Sequence, residues 1–486
     1  MAQSDGQQAK RRTLVSAFRE ANLPLEQLWL RYFALGGEAG LTEIDAYLNG
    51  LLPLPALQHD VLAQALNERL DELVGSGRAA YTHQVLESRP PDGALEALVT
   101  LLEGMHMAAP ERLPTALATA GAPLGLEAVL YLVDYDQQTL TPLSAPGLAE
   151  RRPVDVDATL PGRAFREVRT LISRDGANGR LWVPVLDGVE RLGVLELVMS
   201  RDVDEQDPRL HEQCRWLSYL VGHLVTAVTT YGDQLDSVRR THPRTPAAEL
   251  IWQLLPPPTA GVGSFTVAAY LEPSDAVGGD AFDYSLSEGT ASLAVFDATG
   301  HSLASGAVVA GALGAYRSTR RNGGGLYDQA RSIDDIVAEY FVGEGKFVTG
   351  VLCDLDLVHG RLRYVVAGHP HPFILRQGKV VKTLEGGTRP LFGLPTAELT
   401  VGEEVLQRGD WLVLFTDGIV EARDVAGEQF GTERLIDFLR REAASELPPP
   451  ETARRLMRAV MAHQHNVLQD DATVLLARWD GADLSV

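Results

Sequence analysis

The stretch LVLFTDGIVEA, residues 412–422, places four consecutive apolar residues directly before Thr416, Asp417 and Gly418. A short apolar run that ends in Asp-Gly is typical of a buried strand closed by a turn. One carboxylate at a strand end is ordinarily a turn former or a helix cap. A catalytic interpretation of Asp417 therefore requires that other strands of the chain also end in acids.

Acids also lie beside three further apolar segments. Asp280 lies in AVGGDAFDY, Asp297 ends ASLAVFD, and Asp470 with Asp471 precedes ATVLLARW. Buried together, ionised carboxylates lose hydration and repel one another. Mg²⁺ or Mn²⁺ removes this objection, because two such ions about 3.5–4 Å apart bind carboxylate oxygens and share an activated water. The acids therefore predict a centre for two metal ions.

The segments around these acids predict the fold of the second half of the chain. Seven apolar segments between residues 264 and 479, bounded by Gly, Pro and Asp, have the composition of strands. Helical blocks are expected at 302–321 and 330–341, and again at 432–443 and 450–467 before the last strand. This order predicts two packed sheets with helices covering them.

The first half of the chain has a different pattern. Helical spacing, as in PLEQLWLRYFALG, extends over residues 1–86 and predicts a small helical domain. Two hairpin-like strand pairs follow, in LEAVLYLVDYDQQTLTPLSAP and RLWVPVLDGVERLGVLELVMS, with helical stretches around them. By this strand order, residues 87–225 resemble a GAF sensor domain. Pro256–Pro258 mark the boundary with the second half.

An a/d seam runs from Leu210 to Val238 in alternating steps of four and three residues. Up to Val221, it is equally explained as the last helix of the sensor-like domain packing on its own sheet. Beyond Val225 we expect no partner within the chain. The helical linker 226–258 is therefore expected to pair with a second copy as a coiled coil, which makes the protein a homodimer.

Composition excludes several classes of function. The chain has 486 residues, 65 of them acidic against 43 basic, and its net charge of −22 disfavours nucleic acid and anionic membranes as partners. It has two cysteines and no apolar run approaching the roughly 20 residues of a membrane span. The basic N-terminus lacks an apolar signal region, so we expect a cytoplasmic location.

The second half resembles the PPM (PP2C-type) metal-dependent serine/threonine phosphatases, specifically their bacterial SpoIIE/RsbU-like branch. The resemblance covers residues 261–480 and rests on GGDAFD, FDATGHS, FVTGVLCDLD, VVAGHPHPFIL, RPLFGLP, LFTDGIVEA, GEQFG and DDATV, in this order. It implies a multidomain α+β protein, in which a PP2C-type β-sandwich flanked by helices, residues 259–482, follows the GAF-like α/β sensor domain and the N-terminal helical domain. It also implies two Mn²⁺ or Mg²⁺ ions held by these residues: Asp280, Asp297, the main-chain carbonyl of Ala298, Asp417 and Asp470.

Two details of the resemblance bear on the site. Asp283 is expected to act behind the ligands, and Ser302 stands in DATGHS where the family commonly has glycine, which puts the rate of hydrolysis in question.

Other catalytic chemistry is less well supported. Cys353 lies in a strand interior without a phosphate-binding arginine six residues later, so we expect a core thiol. His369 and His371 are explained by a proline-bracketed turn.

The expected function is hydrolysis of phosphoserine or phosphothreonine in a protein, by in-line attack of a metal-activated water. The resemblance implies a phosphorylated anti-sigma-factor antagonist, or a similar phosphoprotein, as substrate in a stress-response pathway. The signal at the GAF-like domain, a small molecule or a protein, is not specified by its residues. Two alternatives remain open: a sensor or scaffold whose phosphatase domain has little or no activity, and a hydrolase of small phosphorylated metabolites.

Overall fold

The structure is a computed structural model that describes residues 2–481, apart from 73–92, 146, 148, 176–177, 200–204, 274–277, 301–302, 342, 344, 395–397 and 446. The chain divides into two compact units, Met1–Asp92 and Gly93–Val486. The predicted boundary at residues 86 and 87 and the unusual Ser302 lie outside the described residues.

The first unit is helical, as predicted. Its four helices are α1 (Ala2–Ala21), α2 (Leu25–Ala34), α3 (Leu41–Leu48) and α4 (Ala56–Glu72). Their apolar faces share one core, in which Leu14, Leu28, Ile44 and Leu62 are fully buried. Apolar residues three and four apart place one stripe of each helix toward this core.

The second unit begins with a region built on one sheet, residues 93–239, here called the single-sheet region. Its strands are β1 (Leu126–Val133), β2 (Thr139–Pro142), β3 (Val154–Asp155), β4 (Leu171–Asp175), β5 (Asn178–Asp187) and β6 (Glu190–Met199). They form an antiparallel sheet in the order β3-β2-β1-β6-β5-β4. Its helices are α5 (Gly93–Met105), α6 (Leu113–Gly121), α7 (Leu160–Glu167), α8 (Pro208–Thr229) and α9 (Gln234–Arg239).

Helices cover both faces of this sheet. Leu101 of α5, Leu117 of α6 and Leu217 of α8 belong to the core on one face. Ala164 and Phe165 of α7 belong to the core on the other face. The predicted sheet with flanking helices is thereby confirmed, whereas a role in sensing remains a prediction.

The predicted heptad seam is interrupted between α8 and α9. Val228 and Leu235 are 3% and 1% exposed, and they pack into the same core as α5 and α6. At the interruption, a Cβ on Gly232 would lie only 2.5 Å from the Pro110 side chain. The expectation that the seam has no partner in its own chain beyond Val225 is wrong, because α5 and the turn at Pro110 cover it.

A short linker leads to the second region. Helix α10 (Pro246–Leu254) lies in the predicted helical linker 226–258, and Pro256–Pro258 follow it. Since proline has no N–H to continue a helix, the chain leaves α10 in an extended conformation and enters the next strand at Thr259.

Residues 259–481 form a β-sandwich, here called the sandwich domain. Its strands are β7 (Thr259–Val262), β8 (Phe265–Glu272), β9 (Asp280–Leu286), β10 (Thr290–Ala298), β11 (Val348–Asp356), β12 (Arg361–Ala367), β13 (Phe373–Arg376), β14 (Lys379–Thr383), β15 (Thr388–Arg389), β16 (Gly402–Val405), β17 (Asp410–Phe415) and β18 (Ala472–Trp479). One sheet has the order β15-β12-β11-β10-β9, with β16 also paired to β12, and the other has the order β14-β13-β17-β18-β8-β7.

The helices of the sandwich domain are α11 (Leu303–Arg321), α12 (Leu326–Tyr340), α13 (Asp417–Val420), α14 (Gly431–Ala443) and α15 (Pro449–His463). Leu293, Val351, Leu412 and Leu475 lie in the core that joins the two sheets. Helices α11 and α12 cover the outer face of the first sheet, and α14 and α15 cover that of the second. This four-layer arrangement confirms the predicted sandwich.

No helix in the described part of the chain is long and apolar enough to cross a membrane. The homodimer and the cytoplasmic location remain predictions.

Candidate active site

Two of the predicted acids face each other across neighbouring strands. Asp280 is the first residue of β9, and Asp297 is the penultimate residue of β10. The antiparallel register pairs them directly. Cβ atoms of directly opposed residues lie only about 4.5–5.5 Å apart. Both carboxylates therefore lie at the same end of the first sheet.

The other two acids come from the second sheet. Asp417 follows β17 and opens α13, and Asp470 lies two residues before β18, which pairs with β17. The charges of Asp417 and Asp470 both act on Asp297. The structure therefore brings all four predicted acids to the same end of the sandwich, here called the acid edge.

Asp280 is held in place by two threonines. Its Oδ2 accepts hydrogen bonds from Thr416 Oγ1 at 2.8 Å and from Thr473 Oγ1 at 2.6 Å. Both threonines are fully buried, and Asp280 is 2% exposed. Burial, and secondarily the charge of Asp297, raises the pKa of Asp280 well above its ordinary value, although the two hydroxyl donors act in the opposite direction.

The pKa values of Asp297 and Asp417 are also raised. Burial, followed by the charges of Asp417, Asp470 and Asp471, raises the pKa of Asp297 to about 8. Burial and the neighbouring Asp470 raise the pKa of Asp417. No described arginine or lysine forms an ion pair with Asp280, Asp297 or Asp417. Among the described residues, the acid edge thus has no paired basic side chain to neutralise these carboxylates when they ionise.

Asp471 differs from Asp470 in its surroundings. Asp471 is 3% exposed and accepts a hydrogen bond from the main-chain N–H of Gly279, whereas Asp470 is exposed. A Cβ on Gly418 would lie 1.8 Å from the Asp471 carbonyl oxygen, so the turn after Asp417 requires glycine. The hydrogen bond to Asp471 connects the loop before β9 to the start of β18. Asp470 is then the acid of this pair whose side chain is exposed to solvent.

The carbonyl group of Ala298 also lies near this loop. The Ala298 N–H donates to the Gly279 carbonyl at 2.9 Å, and an added Cβ on Gly279 would lie 2.5 Å from the Ala298 carbonyl oxygen. Because Gly279 and Ala298 are small, their backbone segments approach each other beside Asp297. The Ala298 carbonyl oxygen is thus a further oxygen donor near the carboxylates.

These donors fit divalent cations in chemistry and charge. Carboxylate and carbonyl oxygens are the preferred ligands of Mg²⁺ and Mn²⁺, and an uncompensated acid cluster gains most from a cation. Among the described residues, no three His, Cys, Asp or Glu side chains are grouped closely enough to hold a metal ion by themselves.

Asp283 lies outside the acid edge. Its two carboxylate oxygens accept hydrogen bonds from Arg317 at 2.7 Å and Arg320 at 2.9 Å. Since both arginines belong to α11, these ion pairs fasten that helix to β9. A role of Asp283 behind the ligands remains a prediction, while its observed contacts are structural.

The predicted non-catalytic residues have structural surroundings. Cys353 is fully buried in β11, and burial raises the pKa of its thiol. His369 is 5% exposed, lies 2.8 Å from Thr349 Oγ1, and has its pKa lowered to about 3 by burial. His371 Nδ1 is 3.1 Å from the Leu384 carbonyl oxygen.

Sequence reasoning did not identify the supporting roles of Thr416 and Thr473. Both were present in the quoted motifs, directly before Asp417 and within DDATV. Their shared hydrogen-bonding to Asp280 becomes visible only when β17 and β18 pair. A hydroxyl residue beside each acidic motif is the signal that could have indicated it.

Comparison with known proteins identifies the class of the sandwich domain. Residues 287–480 match the model of the family described as Stage II sporulation protein E (SpoIIE). Residues 287–480 are therefore similar to the SpoIIE family, and the resemblance inferred from the motifs is confirmed for this part of the chain. The family match does not extend to the first 286 residues.

One curated relative and two solved structures illustrate the similarity. The chain is 31% identical to Protein IcfG of Synechocystis sp. over 110 residues, which are 22% of this chain and 17% of that protein. The RsbU and RsbW domains of Rv1364c from Mycobacterium tuberculosis align with a TM-score of 0.40 and 24% identity, over 46% of this chain and 63% of that one. The SiaA-PP2C domain of Pseudomonas aeruginosa aligns with a TM-score of 0.40 and 23% identity, over 44% of this chain and 86% of that domain.

Proposed function

We propose that the protein is a metal-dependent protein serine/threonine phosphatase. The observation that carries this proposal is the acid edge, to which four separate elements bring carboxylates and where no described cationic side chain is paired with Asp280, Asp297 or Asp417. The match of residues 287–480 to the SpoIIE family supports the same reaction class.

The ligands of two Mn²⁺ or Mg²⁺ ions would be Asp280, Asp297, the Ala298 carbonyl, Asp417 and Asp470. When bound, such ions supply an activated water and neutralise phosphoryl oxygens. Thr416 and Thr473 orient the Asp280 carboxylate, and the Asp471 contact with Gly279 holds the loop beside it. The exposed position of Asp470 leaves room for a phosphorylated side chain to approach this edge.

The proposed substrate is a phosphorylated protein, specifically an anti-sigma-factor antagonist or a similar phosphoprotein of a stress-response pathway. This choice rests on the SpoIIE/RsbU-like character of the motifs. The single-sheet region is proposed to be a sensor that regulates the phosphatase in response to a small molecule or a protein. Its contacts with the sandwich domain give such a signal a physical route, because Arg191 of β6 donates to Glu451 of α15 at 2.9 Å.

A cytoplasmic homodimer completes the proposal, although its contact surface must differ from the predicted seam. The seam residues Val228 and Leu235 are buried within the chain. Trp216 and Tyr219 lie three residues apart on α8 and are each 45% exposed, so this face offers apolar area for a second copy.

The test is hydrolysis by the full chain after removal of metal. Turnover of p-nitrophenyl phosphate and of a phosphoserine peptide would be measured with EDTA, with Mg²⁺ and with Mn²⁺. We expect hydrolysis of both compounds only when a metal is added. Metal binding seen by calorimetry without any turnover would instead support the scaffold alternative, and hydrolysis of small phosphate esters alone would support the metabolite alternative.

A further inference from the structure

A cavity of about 260 Å³ lies between the single-sheet region and the sandwich domain. Its walls come from β1 and β6 on one side and from β8 and β9 on the other, with Pro256–Pro258 of the linker between them. This cavity is separate from the acid edge, whose predicted ligands do not line it. Its size approaches the lower end of ligand sites, which is about 300 Å³.

Aromatic rings form much of the wall. Tyr135 and Trp252 face it from the single-sheet region and α10, and Tyr270 and Phe282 face it from the sandwich domain. The rings of Tyr135 and Trp252 meet edge to face, with centroids 5.7 Å apart. Flat rings on both sides, together with prolines, favour a compact molecule that has an aromatic body.

The cavity also contains a carboxylate without a hydrogen-bonding partner. Glu190, the first residue of β6, lines the cavity, and no described residue donates a hydrogen bond to its carboxylate or forms an ion pair with it. Burial raises the pKa of Glu190, whereas the charge of Arg239 acts in the opposite direction. Because a partly buried acid without a hydrogen-bond donor is costly, a bound molecule that supplies one would be favoured.

The nearest basic groups are already engaged elsewhere. Arg191 donates to Glu451 at 2.9 Å and to Gln137 at 2.8 Å. Arg239 donates from Nε to the Val133 carbonyl at 3.0 Å, and its guanidinium lies 4.5 Å from the centre of the Tyr135 ring. Both arginines line the cavity, yet neither forms an ion pair with Glu190.

We propose that this cavity is a binding site for a small aromatic molecule bearing a protonated amine, with the amine on Glu190 and the ring between Trp252 and Phe282. Such a molecule would contact both regions at once. It would lie against Arg191, whose ion pair with Glu451 joins β6 to α15, so its binding would strengthen or weaken the contact between the two regions.

The experiment measures binding by the full chain with three probes that share one ring. Benzylamine is a cation, benzyl alcohol is a neutral donor and benzoate is an anion, and ligand-observed NMR at millimolar concentration gives their relative affinities. We expect benzylamine to bind more tightly than benzyl alcohol and benzoate to bind most weakly. Replacing Glu190 by Gln should weaken benzylamine by about tenfold or more, as expected for the loss of a charge-assisted hydrogen bond.

Two variants serve as controls. Glu288→Gln removes an exposed acid that does not line the cavity and should leave the affinity for benzylamine unchanged. Trp252→Ala should weaken all three probes, because it removes part of the aromatic wall. Thermal melting of each variant establishes that it is folded.

The proposal is overturned if no probe binds, if benzoate binds as well as benzylamine, or if Glu190→Gln binds benzylamine like the unmodified protein. The readout is binding and does not involve phosphate hydrolysis. Failure here would leave the proposed phosphatase activity intact, and failure of the phosphatase assay would leave this binding site intact.

Discussion

Two buried groups of charges in this molecule have opposite compositions. Around Glu451, which is fully buried, Arg191, Arg454 and Arg455 donate to one carboxylate at distances of 2.9–3.0 Å. Burial alone would raise the pKa of Glu451, but its hydrogen bonds and ion pairs with these arginines lower it overall. In this group, here called the arginine cluster, the buried carboxylate is paired with positively charged side chains.

At the acid edge Asp280 is similarly buried, yet no described arginine or lysine is paired with Asp280, Asp297 or Asp417. Asp280 and Asp297 have raised pKa values, for which burial is the largest cause and neighbouring acids are the next. Proteins ordinarily pair buried charges because an unpaired one is costly. The difference between the two groups therefore separates a structural connection, in which a buried carboxylate is paired with arginines, from the proposed site for an external cation.

The largest expected effect is the loss of activity in Asp417→Asn. If Asp417 binds a metal ion that stabilises charge in the transition state, its replacement should lower turnover by at least about a hundredfold. The melting temperature should stay the same or rise, because one repelling carboxylate is removed. Steady-state hydrolysis of p-nitrophenyl phosphate at low Mn²⁺ measures the first effect, and calorimetry without metal measures the second.

Asp335→Asn is the matched control for this variant. Asp335 is an exposed acid on α12, so the same chemical change there should alter neither activity nor melting temperature. An Asp417→Asn protein with normal turnover at low Mn²⁺ would remove Asp417 from the proposed ligands.

For a substitution in the arginine cluster, we expect a loss of stability more than a loss of catalytic activity. Glu451→Gln leaves the side chains of Arg191 and Arg454, which are 3% and 1% exposed, without their shared counter-charge. Breaking a buried ion pair in this way costs about 3–5 kcal/mol. The free energy of unfolding from urea titrations should fall by this amount at an unchanged m-value.

A matched variant tests whether burial is the reason. Glu433→Gln changes an exposed acid on α14 and should alter stability by less than about 0.5 kcal/mol. If Glu451→Gln were equally mild, the arginine cluster would not stabilise the contact between the single-sheet region and the sandwich domain.

Seven strands of the sandwich domain were predictable from sequence, whereas β7, β9, β14, β15 and β16 were not. Strands such as β10 and β17 carry four or more consecutive apolar residues because both faces of each sheet are covered. Strands β14, β15 and β16 have two to five residues and include exposed side chains, such as Val381 at 46%. Their pairing depends on neighbouring strands more than on their own pattern.

The acids of the site were predictable for the same reason, since each ends or adjoins an apolar strand. Their support depends on contacts between distant parts of the chain. Thr473 is 193 residues from Asp280, and Glu451 is 260 residues from Arg191. No local pattern reports such pairs. The prediction that the seam at Val228 has no partner in its own chain is wrong for the same reason. Helix α5, which covers it, lies more than a hundred residues earlier in the chain.

The smallest expected effect concerns Glu272, a half-buried acid that belongs to neither group. Burial, and secondarily the charge of Asp136, raises the pKa of Glu272 from 4.5 to about 7. No described residue forms an ion pair with it. Between these two pH values the folded protein retains a proton that the unfolded chain has released. Its contribution to stability is therefore complete below pH 4.5 and is lost as the pH rises through about 7.

Glu272→Gln should remove this dependence, because the amide does not titrate. Between about pH 5 and pH 8 we expect the melting temperature of the unmodified protein to fall by about 1–3 °C more than that of the variant, measured without metal. Glu451 provides the opposite sign within the same molecule: its pKa is lowered, so its contribution is lost as the pH falls. If Glu272→Gln and the unmodified protein lost stability in parallel over this range, Glu272 would not be the source of the pH response. The contrast between paired and unpaired carboxylates would then hold only at the acid edge.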